Sequence, residues 1–118
     1  MLTGPIVRLR IAELEHGPQV PDAATVGEPL EITITTVVGG CWGRGHTVVE
    51  QPHSLIVILK PYDLLDVDRG TQCPASLQPA YHLVSVTFQE TGVATVITEA
   101  VDWPTGEPVT YTNTVIVK

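Results

Sequence analysis

Glycine and proline recur along the whole chain, with ten residues of each among the 118. Proline breaks the interior of a helix and glycine weakens it, so a chain interrupted this often has no room for a long helix. Threonine and valine are abundant between these residues, and their β-branched side chains suit the pleated surface of a strand. We therefore predict an all-β protein.

Apolar and polar residues alternate in several segments, as they do in strands that bury one face. The clearest case is residues 30–35, where three aliphatic residues alternate with Glu and Thr. Residues 55–59 form a continuous apolar run that we expect to end at residues 60–63, with no regular strand between residues 64 and 81. The remaining predicted strands are residues 7–11, 47–50, 82–88, 93–100 and 109–117.

About seven strands separated by frequent turns are typical of an antiparallel sandwich or barrel. A chain of 118 residues suits one hydrophobic core rather than two. We therefore predict a single domain that spans residues 1–118.

The net charge of −7, with only six Lys and Arg, excludes several classes of partner. Nucleic acid needs a basic surface, and an anionic membrane would repel this chain. The sequence also contains no apolar run near the roughly 20 residues that a membrane-spanning helix requires. We predict no nucleic acid partner and no transmembrane segment in this chain.

The two cysteines, Cys41 and Cys73, are 32 positions apart and cannot form a CxxC motif. Paired cysteines in small exported β-domains are usually joined, which favours a Cys41–Cys73 disulfide in an oxidising compartment. The alternative is a cytosolic protein with two buried free thiols. Residues 1–5 do not resemble a signal peptide, so export implies that the signal has been removed.

Several short motifs resemble those of bacterial immunoglobulin-like domains from secreted proteins and lipoproteins. They are Gly27-Glu28-Pro29-Leu30-Glu31-Ile32, Gly40-Cys41-Trp42, Lys60-Pro61-Tyr62-Asp63, Cys73, Phe88-Gln89-Glu90-Thr91-Gly92 and Ala94-Thr95-Val96. The resemblance covers roughly residues 25–118 and implies an immunoglobulin-like antiparallel β-sandwich, export and a cysteine bridge. It transfers no catalytic residue. Because Trp42 adjoins Cys41 and Cys73 lies outside a late strand, we expect the bridge near one end of the sandwich.

Two groups of side chains come nearest to a metal site. His46, Glu50 and His53 lie in one segment, but their spacing matches no zinc motif. Asp63, Asp66, Asp68 and Gly70 loosely resemble a calcium loop without its distal Glu. A mixed site of Cys41, Cys73, His46 and His82 would lack closely paired ligands. We predict no metal and no cofactor, and keep a calcium, zinc or copper domain as the alternative.

Catalytic motifs are missing from the sequence. None of the three serines lies in a G-x-S-x-G segment, and no phosphate-binding loop precedes a helix. A blue-copper site would need a nearby His and a weak axial ligand, and the only methionine is Met1. We therefore expect a protein that is not an enzyme.

The sequence thus predicts a non-catalytic extracytoplasmic interaction or structural module that is periplasmic, secreted or lipid-anchored. Its partner would be an unidentified protein or another envelope component. Trp, Tyr and Arg dominate binding hot spots, so the candidate binding surface is Trp42, Arg44, Tyr62 and Tyr81. The alternative is a subunit of a cell-envelope assembly that pairs through an exposed edge strand, residues 7–11 or 109–117.

Overall fold

The computed structural model describes residues 5–68, 72–73, 75–103 and 105–118. Throughout these residues the chain forms strands and no helix, which confirms the all-β prediction. The strands are β1 (Pro5–Ile11), β2 (Glu13–Leu14), β3 (Ala23–Ala24), β4 (Pro29–Gly39), β5 (Trp42–His53), β6 (Ile56–Asp68), β7 (Leu77–Thr87), β8 (Gly92–Asp102) and β9 (Pro108–Val117).

Three long antiparallel pairs make up most of the sheet: β4 with β7, β5 with β6, and β8 with β9. β1 adds to the second half of β6. The short strand β2 pairs with both β4 and β8, so it joins the two parts into one continuous sheet. This sheet curls into an elongated half-barrel with extents of 57 × 26 × 18 Å.

The strand arrangement differs from the predicted set of about seven antiparallel strands. The sheet is mixed, because β6–β8, β2–β8 and β3–β9 are parallel pairs. β2 and β3 have two residues each, too short to leave an alternating pattern in the sequence. Alternation also reports which face a side chain takes, not the direction of the neighbouring strand. The antiparallel prediction was therefore wrong for these three pairs.

The core lies inside the curl, where the apolar sides of β4, β6, β7, β8 and β9 meet around Leu14 of β2. Along β4 the buried and less buried residues alternate, as the sequence predicts for residues 30–35. Phe88, directly after β7, is fully buried in this core. β4 and β7 therefore direct their alternating apolar residues into the core, whereas β1 does not: Val7, Leu9 and Ile11 are 62 %, 51 % and 43 % exposed.

β6 is longer than expected and continues through Pro61 to Asp68. Proline has no N–H to donate, but β6 changes neighbours here, from β8 at Leu59 to β1 at Tyr62. The Pro61 carbonyl accepts a hydrogen bond from the Ala12 backbone N–H at 2.9 Å. A residue of an antiparallel strand directs its N–H and C=O to the same side. The nitrogen of Pro61 therefore faces the gap between β8 and β1, where no strand requires an N–H donor. The prediction that the strand ends at residues 60–63 was wrong.

β7 also begins earlier than expected, at Leu77, and includes Pro79. Among the described residues β7 pairs only with β4 and is therefore an edge strand. Proline is tolerated on an edge when its nitrogen faces away from the neighbouring strand. Residues 64–81 therefore contain the ends of two strands with a connection between them.

Candidate binding surface at the disulfide end

The Cys41–Cys73 disulfide is present, as predicted, with the two Cα atoms 5.0 Å apart. Cys41 lies in the turn between β4 and β5, where Gly40 takes a positive φ of 63°. Cys73 lies in the connection from β6 to β7. The bridge therefore links strand ends at one end of the half-barrel, as expected. We call this region the disulfide end.

Arg10 of β1 holds a small polar cluster at the disulfide end. Its guanidinium carbon lies 4.1 Å from the centroid of the Trp42 ring, within the range of a cation–π contact. Its Nε lies 3.4 Å from Asp63 Oδ2, and its Nη2 lies 3.8 Å from Glu13 Oε1. Arg10 thus connects β1 to three other strands: to β5 through the Trp42 ring, and to β6 and β2 through two carboxylates.

Asp63 is the most unusual member of this cluster because its carboxyl group is fully buried. Among the described residues Oδ1 has no hydrogen-bond partner, whereas a buried polar atom normally has one. Burial raises the pKa of Asp63 from its usual 3.8 to about 6, against the opposing effect of the Arg10 charge. Nearby Glu13 raises this pKa further.

A groove of about 450 Å³ lies next to this cluster, between the edges of β5 and β7. We call it the β5–β7 groove. No described strand pairs with either edge: β5 pairs only with β6, and β7 only with β4. The polar residues and the exposed leucine that line it are Arg44, His46, Thr47, His82, Leu83 and Ser85.

His82 is 3 % exposed in the wall of the groove. Its Nδ1 lies 2.8 Å from Thr47 Oγ1, while its Nε2 is buried with no partner in the described part of the chain. Burial lowers the pKa of His82 from 6.5 to about 4, and the charges of Arg44 and His46 lower it further. The imidazole is therefore neutral near pH 7.

Two side chains of β5 cross the groove and bind backbone carbonyls of β7. Arg44 Nη1 donates to the Tyr81 carbonyl at 3.1 Å, and Gln51 Nε2 donates to the Thr87 carbonyl at 3.4 Å. These bonds hold the two edges together at two points. Between them, no described strand pairs with the edge of β7 at Leu83 and Ser85.

Asp63 and His82 give the protein opposing pH dependences, which leads to a first prediction. The folded-state pKa of Asp63 is raised, so its stabilisation is present below pH 4 and is lost as pH rises through 6. The folded-state pKa of His82 is lowered, so its stabilisation is present above pH 6.5 and is lost as pH falls through 4. Each contribution is on the order of 3 kcal/mol.

We therefore expect the two contributions to nearly cancel between pH 4 and 6.5. The Asp63→Asn variant should become more stable as pH rises across this window, and His82→Gln should become less stable. Urea unfolding of the wild type and both variants at several pH values measures this. The linkage is contradicted if both variants retain the wild-type pH dependence.

The four residues of the predicted binding surface do not form one patch. Arg44 is exposed and contacts Tyr81, which is 53 % exposed. Trp42 is half-buried beneath Arg10. Tyr62 directs its side chain to the opposite face of β6 from Asp63, because successive residues of a strand alternate in direction. Its ring stacks on His46, with the centroids 5.6 Å apart. Arg44 and Tyr81 lie together on the groove, Trp42 packs against Arg10, and Tyr62 contacts the groove residue His46 without lining the groove itself.

The candidate metal ligands have other partners. Glu50 forms an ion pair with Lys60 at 2.9 Å, and His53 Nδ1 accepts a hydrogen bond from the Leu55 backbone N–H at 3.2 Å. Asp66 and Asp68 belong to β6 rather than to a loop, and Gly70 lies outside the described residues. In the described part of the chain, no three His, Cys, Asp or Glu side chains form a group that could hold a metal.

Sequence reasoning missed the roles of Arg10, Asp63 and Thr47. For Asp63 a signal was present, because it continues the alternation of the buried residues Val57, Leu59 and Pro61. Assigning residues 60–63 to a strand end removed that signal. The contact of Thr47 with His82 joins residues 35 positions apart, and nothing in the local sequence of either residue indicates it.

Gly45 lies in an irregular part of β5, between Arg44 and Thr47, where the register with β6 shifts. A Cβ atom at Gly45 would lie 2.5 Å from the Tyr62 carbonyl oxygen, which belongs to the backbone and cannot move aside easily. At Gly43 an added Cβ would have no atom within 4 Å. Glycine is therefore required at the first position and not at the second.

We expect Gly45→Ala to lower the free energy of unfolding by about 1–3 kcal/mol, because the overpacked strand must shift. Gly43→Ala, the matched control, should change it by less than about 0.5 kcal/mol. Urea unfolding at pH 7 distinguishes them. Equal stabilities for the two variants would contradict the close approach of β5 to β6.

Comparison of the chain with family models, curated proteins and solved structures finds no match. Among the residues described, no helix combines the length and apolar character needed to cross a membrane.

Proposed function

We propose that this protein is a non-catalytic interaction or structural module that works outside the cytoplasm and binds a partner at its disulfide end. The observation that carries the proposal is the placement of the Cys41–Cys73 bridge next to the exposed pair of Arg44 and Tyr81. Arg and Tyr are the residue types enriched in binding hot spots. A disulfide fixes the strand ends that present them, which lowers the entropy lost on binding.

The proposed location rests on the same bridge. Intramolecular disulfides persist in oxidising compartments and are rare in the cytosol, so Cys41–Cys73 is consistent with an extracytoplasmic protein. We further propose that the half-barrel is a variant of the immunoglobulin-like sandwich of bacterial secreted proteins and lipoproteins. The support is the core enclosed between β4 and β7 on one side and β6, β8 and β9 on the other.

Site-specific photo-crosslinking in cells of the native host tests the proposal. A photoreactive amino acid at Tyr81 should yield one cross-linked partner in the extracytoplasmic fraction. Val93 is the matched control, since it is 62 % exposed. It lies at the start of β8, at the end of the half-barrel opposite the disulfide. No cross-link from Tyr81, or the same products from Val93, would contradict binding at the disulfide end.

The thiols test the location independently. Protein isolated under conditions that block free thiols should show two alkylation sites only after reduction, one at Cys41 and the other at Cys73. Two free thiols in the untreated protein would contradict an extracytoplasmic location.

A further inference from the structure

The edge of β7 directs unused backbone groups into the β5–β7 groove. The Tyr81 and Thr87 carbonyls accept hydrogen bonds from β5 side chains across the groove, so these residues point their backbone groups away from β4. Leu83 follows the same rule, because its β4 partner Thr33 uses both backbone groups on Gln19. Paired residues of antiparallel strands either bond to each other or both point outward. Leu83 therefore points outward.

Leu83 and Ser85 thus present N–H and C=O groups, and Tyr81 its N–H, on an edge with which no described strand pairs. Such an edge is a template for an added strand. The side chains of this stretch include no charge that would block pairing, and Leu83 is 73 % exposed. The one proline of β7, Pro79, lies before this stretch.

The charges around the groove give the added strand a direction. In a chain of net charge −7, the residues described as lining the groove include one cation, Arg44, and no carboxylate. Arg44 uses one donor on the Tyr81 carbonyl and keeps others free. The groove is therefore positive near Tyr81, where Arg44 lies.

A peptide that pairs antiparallel to β7 places its own C-terminus beside Tyr81, since β7 runs from Tyr81 towards Ser85. Its terminal carboxylate would then lie at the Arg44 guanidinium, and charge-assisted hydrogen bonds between these two groups are strong. Residues of the peptide opposite Leu83 would place their side chains on the same outer face as Leu83. The position of Arg44 therefore fits the C-terminus of an antiparallel strand on this edge.

We propose that the β5–β7 groove binds the C-terminal segment of a partner protein as an extended strand on β7. The free carboxylate of the segment pairs with Arg44, and an apolar residue third from the end packs on Leu83. This inference rests on the proposed interaction role and names the chemistry of the partner. It adds a binding site that a structural module would not need.

The probe is the peptide Ac-Thr-Thr-Val-Thr-Val with a free C-terminus, titrated into ¹⁵N-labelled protein. We expect the backbone amide signals of Tyr81, Leu83 and Ser85 to shift with a millimolar or tighter Kd. The same peptide with a C-terminal amide should bind about tenfold more weakly, because it loses the charge-assisted bond. The acid N-methylated at its third-last residue should not bind, since it cannot donate to the Leu83 carbonyl.

Two protein variants complete the test. Arg44→Gln should abolish the preference for the acid over the amide, whereas Arg8→Gln, an equal loss of charge at an exposed site on β1, should keep it. No shifts up to about 10 mM peptide, tenfold above the expected Kd of about 1 mM, would overturn the inference. So would equal binding of acid and amide. Shifts that follow protein concentration alone would overturn it in favour of a second copy on the edge.

The outcome is separable from that of the proposed function. Cross-links at Tyr81 in cells, without any peptide response in the groove, would overturn the strand-addition site and leave the interaction role intact. Peptide binding without cross-links at Tyr81 would leave the strand-addition site intact and overturn the proposed binding of a cellular partner at the disulfide end.

Discussion

Replacing both cysteines, as Cys41→Ser with Cys73→Ser, should lower the free energy of unfolding by about 3–4 kcal/mol. The bridge spans a sequence separation of 32, and closing a loop of this length removes that much chain entropy from the unfolded state. The loss is a large part of the 5–15 kcal/mol that is typical of a domain. Urea unfolding at pH 7, followed by circular dichroism, measures it.

The loop that the bridge closes contains β5, β6 and the first part of the connection from β6 to β7. β5 and β6 already pair with each other along most of their length. We therefore expect the variant to keep its strands and native spectrum in the absence of denaturant, because the bridge acts mainly on the unfolded chain.

Reduced wild-type protein is the matched control for this variant. In excess dithiothreitol the wild type should unfold at the urea concentration of the double variant, whereas the variant itself should not respond to reductant. A loss below about 1 kcal/mol would show that the unfolded chain gains little freedom when the bridge is cut.

The alternation of residues in the sequence predicted β4, β8, β9 and the second half of β7, because the burial of alternate residues is a local property. Alternate residues of 30–35 and 82–88 face the core as expected, since each strand packs one face against a common interior. The bridge was predicted from the general rule for paired cysteines in small exported domains, with two free thiols as the alternative. These features need no knowledge of which strands become neighbours.

The pairing of the strands could not be derived in the same way. Pro61 breaks a strand in most contexts and is accepted here because β6 changes neighbours beside it. Only the completed sheet shows this. The β5–β7 groove has the same origin, since it forms where two unpaired edges come to lie side by side.

The candidate site was predicted in part for a related reason. Composition indicated Arg44 and Tyr81, because exposed Arg and Tyr are common at interfaces. It could not separate them from Trp42 and Tyr62, which have the same chemistry but different surroundings. Residue type indicates what a side chain can bind, and the register decides whether a partner can reach it.

We expect a second large loss of stability from truncation of Leu14. It tests the role of β2, the short strand that the sequence did not predict. Leu14 is fully buried in the two-residue strand β2. It pairs with Thr36 of β4 and with Asp102 of β8, and its carbonyl accepts a hydrogen bond from the Trp103 backbone N–H at 3.0 Å. One side chain thus fills the core at the junction of the two parts of the sheet.

We expect Leu14→Ala to lower the free energy of unfolding by about 3 kcal/mol, within the range of 2–5 kcal/mol observed when a buried leucine leaves a cavity. Leu83→Ala is the matched control, because it removes the same atoms from a side chain that is 73 % exposed. It should change stability by less than about 0.5 kcal/mol. Similar losses for the two variants would contradict the position of Leu14 in the core.

The form of the transition carries further information about β2. If β2 is the joint through which β4 and β8 belong to one sheet, both parts must lose their packing together when Leu14 is truncated. Urea unfolding of Leu14→Ala should then remain a single transition with an unchanged m-value when followed by tryptophan fluorescence and by circular dichroism. Two separate transitions would mean that each part folds on its own, and that β2 lies between two independent units rather than uniting them.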